Sequence, residues 1–247
     1  MMFNGRKAVV TGASRGIGFK IAESLVKNGC KVVMTGRNEE TINMAAAKIG
    51  SGAIPMVWDV CDVRMAEKNL RKAASLLGGL DILVNNAGVF TSKSEKNASA
   101  LLQITVDEWE RIMTTNAEAL FFIMQAGVKY MLENKIRGNV LNVSSIAGNE
   151  PICGAYQSSK IVATGLTRGW GRMFAPHGIT VNGIAPGPVA TAMNNWHEGD
   201  PMEHKQVPYG RLASTDEVAE LALYLLSDKA KMICGDTVLI DGAFCIK

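Results

Sequence analysis

Short runs of apolar, mostly β-branched residues alternate along this chain with longer stretches in which apolar positions recur at helical spacing. The runs at 7–11, 31–35, 53–58, 82–85, 140–143, 180–184 and 237–240 read as strands. Between the first two, residues 17–28 carry Ile21 and Leu25 on one face of an amphipathic helix, and residues 106–133 are long enough for one major helix. Strands that alternate with helices build a parallel sheet covered on both sides. The expected fold is therefore α/β, a doubly wound, parallel, seven-stranded Rossmann-type sheet with helices on both faces. No internal repeat or low-complexity linker divides the chain, so residues 1–247 are expected to form a single domain. Residues 90–105 and 186–209, rich in polar residues or in Pro and Gly, read as irregular surface loops, and loops beyond strand C-termini are where such folds place ligands.

Composition narrows the function classes. A chain of 247 residues with 47% hydrophobic content can bury one large core. Its net charge of +3 comes from Lys and Arg scattered along the sequence, with no run dense enough to track a phosphate backbone, so no nucleic-acid partner is expected. No stretch approaches the roughly 20 apolar residues that span a bilayer, and the start lacks an apolar signal segment. A cytoplasmic protein without membrane association is the expectation. Cys30, Cys61, Cys153, Cys234 and Cys245 form no C-x-x-C pair and have no nearby histidine, so reduced thiols and no metal site are expected.

The first chemical signal is Thr11-Gly12-Ala13-Ser14-Arg15-Gly16-Ile17-Gly18, between the first strand and the first helix. Gly12 allows a tight turn, while Gly16 and Gly18 clear side chains where backbone approaches a pyrophosphate at a helix N-terminus. An acidic residue at the end of the second strand would bond a ribose 2′-hydroxyl; here the residues are Thr35-Gly36-Arg37-Asn38. Arg37 together with Arg15 would clamp a 2′-phosphate, so NADP(H) is expected over NAD(H). Glu39 and Glu40 fall where the next helix begins and suit its N-terminus.

The spacing G-x-x-x-G-x-G after a strand, Asn85-Asn86-Ala87-Gly88 closing the fourth strand, and Tyr156-Gln157-Ser158-Ser159-Lys160 opening a helix resemble the signatures of the short-chain dehydrogenase/reductase family. The resemblance runs through Asn182-Gly183-Ile184-Ala185-Pro186-Gly187-Pro188-Val189-Ala190-Thr191 to Tyr209-Gly210-Arg211 and Asp241-Gly242, essentially the whole chain. It implies a hydride transfer between nicotinamide and a carbonyl or alcohol carbon, with Asn116, Ser145, Tyr156 and Lys160 as the catalytic set. Tyr156 would exchange the proton, its phenolate stabilised by the Lys160 ammonium one helical turn away. Ser145 would hold the substrate carbonyl, with Ser144 as the alternative if the register shifts by one. Asn116 would bend its helix and hold a water, at the end of a relay from Tyr156 through the ribose hydroxyl and Lys160.

The same resemblance assigns Gly12, Ser14, Arg15, Gly16, Ile17, Gly18, Arg37, Asn86, Ala87, Gly88, Tyr156, Lys160, Pro186, Gly187, Val189 and Thr191 to the cofactor. Asp59 and Val60 are assigned to the adenine pocket, although Asp59 suits a helix cap near Asp62 equally well. Within the family the pattern is most similar to 3-oxoacyl-carrier-protein reductases, which makes a 3-oxoacyl thioester, with an acyl carrier as partner, one candidate substrate. A sugar, polyol or hydroxysteroid alcohol is the alternative, and a catalytically silent NADP(H)-binding protein a third reading. Relatives are commonly tetramers, so a homotetramer is expected.

Two departures bear on specificity. The stretch from Ser145 to Tyr156 is about two residues shorter than is common in the family and contains Glu150-Pro151, and the lid beyond Pro188 is short and polar. Trp196, His197 and Met202 in that lid are candidate substrate contacts or, equally, packing and surface residues. None of the three histidines is expected to act as a general base.

Overall fold

The computed structural model describes residues 1–90, 98–151 and 154–246. Cys153 and residues 91–97 of the first expected loop lie outside them. Seven strands, β1 (Lys7–Val10), β2 (Lys31–Gly36), β3 (Ala53–Val57), β4 (Ile82–Asn85), β5 (Asn139–Val143), β6 (Thr180–Pro186) and β7 (Thr237–Ile240), form one sheet in the order β3-β2-β1-β4-β5-β6-β7. Every neighbouring pair is parallel. The chain starts at the centre, winds outward to β3, then returns past β1 to wind the other way. That reversal between β1 and β4 opens a crevice at the strand C-termini, where doubly wound sheets bind ligands.

The helices are α1 (Gly16–Lys27), α2 (Glu39–Ile49), α3 (Ala66–Leu77), α4 (Ala98–Leu101), α5 (Val106–Met113), α6 (Ala119–Glu133), α7 (Ala155–Phe174) and α8 (Thr215–Leu226). They divide the buried apolar side chains into two cores. Val10, Val32, Met34, Val84 and Leu141 face one side of the sheet and pack with Ile21 and Leu25 of α1 and with Val218, Ala222 and Leu225 of α8. Val9, Val33, Leu83 and Val140 alternate to the other side and pack with Leu70 and Leu77 of α3 and with Ile123 and Met131 of α6. Period-2 alternation along strands buried on both faces thus supplies a core to each helical layer. Caps fix the helix starts: the Asn38 side chain accepts from Thr41 N at 2.9 Å, with Glu39 and Glu40 in the first turn of α2.

One helix is broken where the resemblance places a bend, at Asn116. The helix expected over 106–133 is interrupted by a π-turn at Thr114–Glu118, centred on Asn116. A π-turn adds a residue to one turn and bends the axis. The segment expected as a lid loop is irregular but tethered, with a 3₁₀ turn at Ala192–Asn194 and bridges Val189↔Ala213 and Glu203↔Arg211.

Candidate active site

The turn from β1 into α1 is built around close backbone approach. Gly12 has φ of +63°, and a Cβ there would lie 2.8 Å from Ala87 Cα. A Cβ on Gly18 would collide with the Asn86 amide. That amide is occupied: its Nδ2 donates to Thr11 O at 3.0 Å and Gly12 O at 2.9 Å. In return the Thr11 hydroxyl accepts from the backbone N–H of Asn86 and Ala87 at 3.0 and 3.1 Å. Glycines are required here because two strand ends are sewn together. Arg15 stands at the N-cap of α1 and closes the first turn with no side-chain hydrogen bond, so the helix N-terminus presents open N–H groups toward the crevice. Ser14 and Gly16 complete the turn, and Gly16 abuts the methyl of Thr191.

Deeper in, the four members of the expected catalytic set come from three parts of the chain: the π-turn, the segment after β5 and the start of α7. Tyr156 and Lys160 lie one turn apart at the start of α7, with Lys160 Nζ 5.6 Å from the centre of the Tyr156 ring. Lys160 is buried and donates to Val143 O at 3.1 Å. Desolvation pushes its ammonium down to about 8. Asn116 is buried at the π-turn; its Oδ1 accepts from Val89 N at 2.8 Å, and its Nδ2 donates to Val89 O at 2.9 Å and to Ser159 Oγ at 3.1 Å. Ser159 Oγ in turn donates to Tyr156 O at 2.7 Å. Asn116 therefore holds the strand exit after Gly88 against the helix that carries Tyr156.

The two serines separate clearly. Ser144 is buried, and its hydroxyl is engaged by Lys160 O at 3.2 Å, to which it donates, and by Thr164 Oγ1 at 3.1 Å. Both serines line the cleft, but Ser145 is only half-buried, and it accepts from Ala147 N at 3.2 Å. A buried amide chain beneath the site, Asn85 Nδ2 to Asn142 Oδ1 and Asn142 Nδ2 to Thr167 Oγ1, each 2.9 Å, ties β4, β5 and α7.

A cleft of about 920 Å³ runs over this floor. Of the expected cofactor residues it is lined by Ile17, Asn86, Gly88, Tyr156, Lys160, Pro186, Gly187, Val189 and Thr191. Ala87 lies beneath, on the wall of a second, buried space of about 10 Å³ shared by Val60, Asn116 and Lys160. Gly187 is pressed between this floor and the C-terminal segment, a Cβ on it falling 2.9 Å from Asp241 Cα. Arg15, Arg37 and Asp59 stand exposed at the ends of neighbouring strands, beyond the cleft lining. Asp59 Oδ1 accepts from Cys61 N at 3.0 Å, a local turn contact and not a cap on the turn that Asp62 opens.

Of the lid candidates, Trp196 lines the cleft, whereas His197 is exposed beside Asp200, 3.5 Å from its carboxylate, and Met202 lies outside the lining. Phe90, Gln157 and His204 line it too, and no motif or spacing in the sequence marks them as cleft residues. Phe90 meets the Tyr156 ring edge-on with centroids 4.6 Å apart. Arg211 in the Tyr209-Gly210-Arg211 segment instead forms a two-pronged pair with Glu217 at 2.7 and 2.9 Å, joining the lid to α8. Among the described residues no group of His, Cys, Asp and Glu could hold a metal, and no helix is long and apolar enough to cross a membrane.

Comparison with known proteins agrees over the same span. A family model described as "Enoyl-(Acyl carrier protein) reductase" matches residues 12–244. The chain is 34% identical over 246 residues to the 3-oxoacyl-[acyl-carrier-protein] reductase FabG of Salmonella typhimurium, with 98% of each covered. It is 31% identical over 252 residues to the gluconate 5-dehydrogenase of Gluconobacter oxydans, covering 98% of this chain and 96% of that one. A short-chain type dehydrogenase/reductase from Mycobacterium marinum superposes with a TM-score of 0.88 at 28% identity, covering 99% and 97%. A single-substitution variant of the actinorhodin polyketide ketoreductase, solved with NADPH, superposes with the same TM-score of 0.88 at 28% identity, covering 98% of each chain.

Proposed function

The chain belongs to the short-chain dehydrogenase/reductase family, and on that premise we propose that it is an NADP(H)-dependent oxidoreductase that reduces a ketone to a secondary alcohol. The observation that carries the cofactor choice is the pair of exposed guanidinium groups at the ends of β1 and β2. Among the described residues neither Arg15 nor Arg37 forms an ion pair, and no acidic side chain occupies the end of β2. Two free guanidinium groups suit a phosphomonoester and would be wasted on a bare ribose. The ketoreductase solved with NADPH supports the same reading.

The remaining residues fit a dinucleotide. The glycine-lined turn and open α1 N-terminus suit a pyrophosphate, Asp59 and Val60 would flank the adenine, and the floor from Pro186 to Thr191 would hold the nicotinamide end with Asn86 and Gly88. NADP(H) supplies the hydride chemistry when bound. The protein supplies the proton and the field. Ser145, which lines the cleft, holds the carbonyl oxygen, and Tyr156 gives that oxygen its proton during reduction and removes it during oxidation. Lys160 in its charged form stabilises the phenolate left behind. The 10 Å³ space between Asn116 and Lys160 is about the size that holds one water, a source from which the proton is replaced.

Tyr156→Phe tests the reading. Turnover of ketones with NADPH should fall by about 10²-fold or more, the usual range for losing a positioned acid, while NADPH affinity is kept. Undiminished turnover would remove the mechanism, and NADPH binding with no turnover of any carbonyl by the unaltered protein would favour a silent binder.

A further inference from the structure

Gln157 and His204 reach the cleft from different elements, Gln157 from the first turn of α7 beside Tyr156 and His204 from the lid. Each has a buried polar atom, Gln157 Oε1 and His204 Nδ1, that meets no hydrogen-bonding partner among the described residues. Polar groups buried without a partner are rare in native proteins, and where they persist in a binding cleft a ligand group is the natural partner. Neither side chain hangs from a loose backbone. His204 N donates to Gly210 O at 3.0 Å, His204 O accepts from Val207 N at 3.1 Å, and the Glu203↔Arg211 bridge holds the strand beside it.

The charges in the cleft point the same way. Its lining includes two carboxylates, Glu150 on the shortened loop after Ser145 and Asp200 on the lid. Among the described residues Lys160 is the one Lys or Arg in that lining, and its ammonium is turned to Val143 O. A carboxylate or phosphate on the substrate would meet two like charges and, among the described residues, no free cation.

We infer that Gln157 and His204 are specificity-determining residues that bond hydroxyl groups flanking the reacting carbon, and that the substrate is an uncharged, hydroxyl-bearing ketone or the matching polyol. The inference rests on the ketone-reductase reading and deepens it. A hydroxyl both donates and accepts, so it can satisfy the amide end of Gln157 from either atom and the imidazole in either tautomer. A plain alkyl chain can satisfy neither, and a site built for hydroxyls discriminates against ligands that lack them.

The test compares kcat/KM with NADPH for 1,3,4-trihydroxybutan-2-one, butan-2-one and the acetoacetate anion, in the unaltered protein and in Gln157→Met and His204→Phe. The expected result is a preference for the trihydroxyketone over butan-2-one of about 30-fold or more, with acetoacetate the poorest. In each variant that preference should fall by about tenfold or more through KM for the trihydroxyketone, with the melting temperature and NADPH affinity retained. Equal or better turnover of butan-2-one, or a preference unmoved in both variants, would overturn the inference while leaving ketone reduction standing. Should a variant fail to fold, the ratio measured on the unaltered protein still decides. Absence of turnover on all three ketones would overturn the inference; turnover of an acetoacetyl thioester in the same assay would leave ketone reduction standing, and its absence too would overturn the reductase reading.

Discussion

Asn116 bonds both backbone groups of Val89, its Oδ1 accepting the N–H at 2.8 Å and its Nδ2 donating to the carbonyl at 2.9 Å. The amide thus replaces the strand partner that the chain loses on leaving β4. A π-turn places Asn116 where one side chain reaches this exit and, through Ser159, the backbone of Tyr156. Asn116→Leu removes three hydrogen bonds and leaves both half-buried backbone groups of Val89 without their side-chain partner. A loss of about 2–4 kcal/mol in unfolding free energy is expected, with a fall in kcat larger than the change in KM. Denaturant melts and initial rates check it. A variant as stable and as active as the unaltered protein would show that the amide positions nothing.

Lys160 illustrates a site held at the expense of stability. Burial lowers its ammonium to about 8 from an ordinary 10.5, so between those values the unfolded chain binds more protons than the folded one. The destabilisation is fully present below about 8 and is relieved as pH rises toward 10.5. Lys160→Met is expected to abolish ketone reduction while raising stability at pH 7 by about 1–3 kcal/mol, a gain that shrinks as pH rises from about 8 toward 10.5. In the unaltered protein, reduction should weaken as pH rises through about 8, because the ammonium that supports the Tyr156 phenolate is lost. A less stable Met variant at pH 7, or a flat rate profile across pH 8, would contradict this account.

Exposed apolar side chains on three elements are where the homotetramer that we propose from the resemblance would pack. Phe122 on α6, Val162 and Met173 on α7 and Leu239 on the edge strand β7 are all exposed. Helix-to-helix and edge-to-edge packing between copies would cover them. Light scattering at micromolar protein should give four times the 26.5 kDa chain mass. A monomer mass would sink the expectation.

Much of the fold was legible in the sequence because parallel strands buried on both faces leave unbroken β-branched runs. Every expected strand is present, with ends shifted by no more than two residues, as at β6, which runs on to Pro186. The bend at Asn116 was expected from the resemblance and not from periodicity: Thr114 to Glu118 fit an ordinary helical period, and the π-turn coincides with the contacts of Asn116 to Val89 and Ser159. The proposed catalytic set came from the resemblance; only Tyr156 and Lys160, one helical turn apart, have a spacing from which helix geometry alone places two side chains together. The structure also separates Ser145 from Ser144 by burial, which spacing could not do. Gln157 and His204 were missed for the opposite reason. Nothing in a glutamine or a histidine announces an unpartnered atom; only folding leaves Gln157 Oε1 and His204 Nδ1 buried without partners on one cleft.

The most direct test of the central claim is the ratio of kcat/KM for NADPH over NADH with one ketone, in the unaltered protein and in the double variant Arg15→Ala, Arg37→Ala. The account expects a strong NADPH preference that falls by about 10- to 100-fold in the double variant, with NADH kinetics little changed, since exposed charge-assisted contacts to the 2′-phosphate are all that is lost. An NADH preference in the unaltered protein, or a ratio that ignores both arginines, would contradict it.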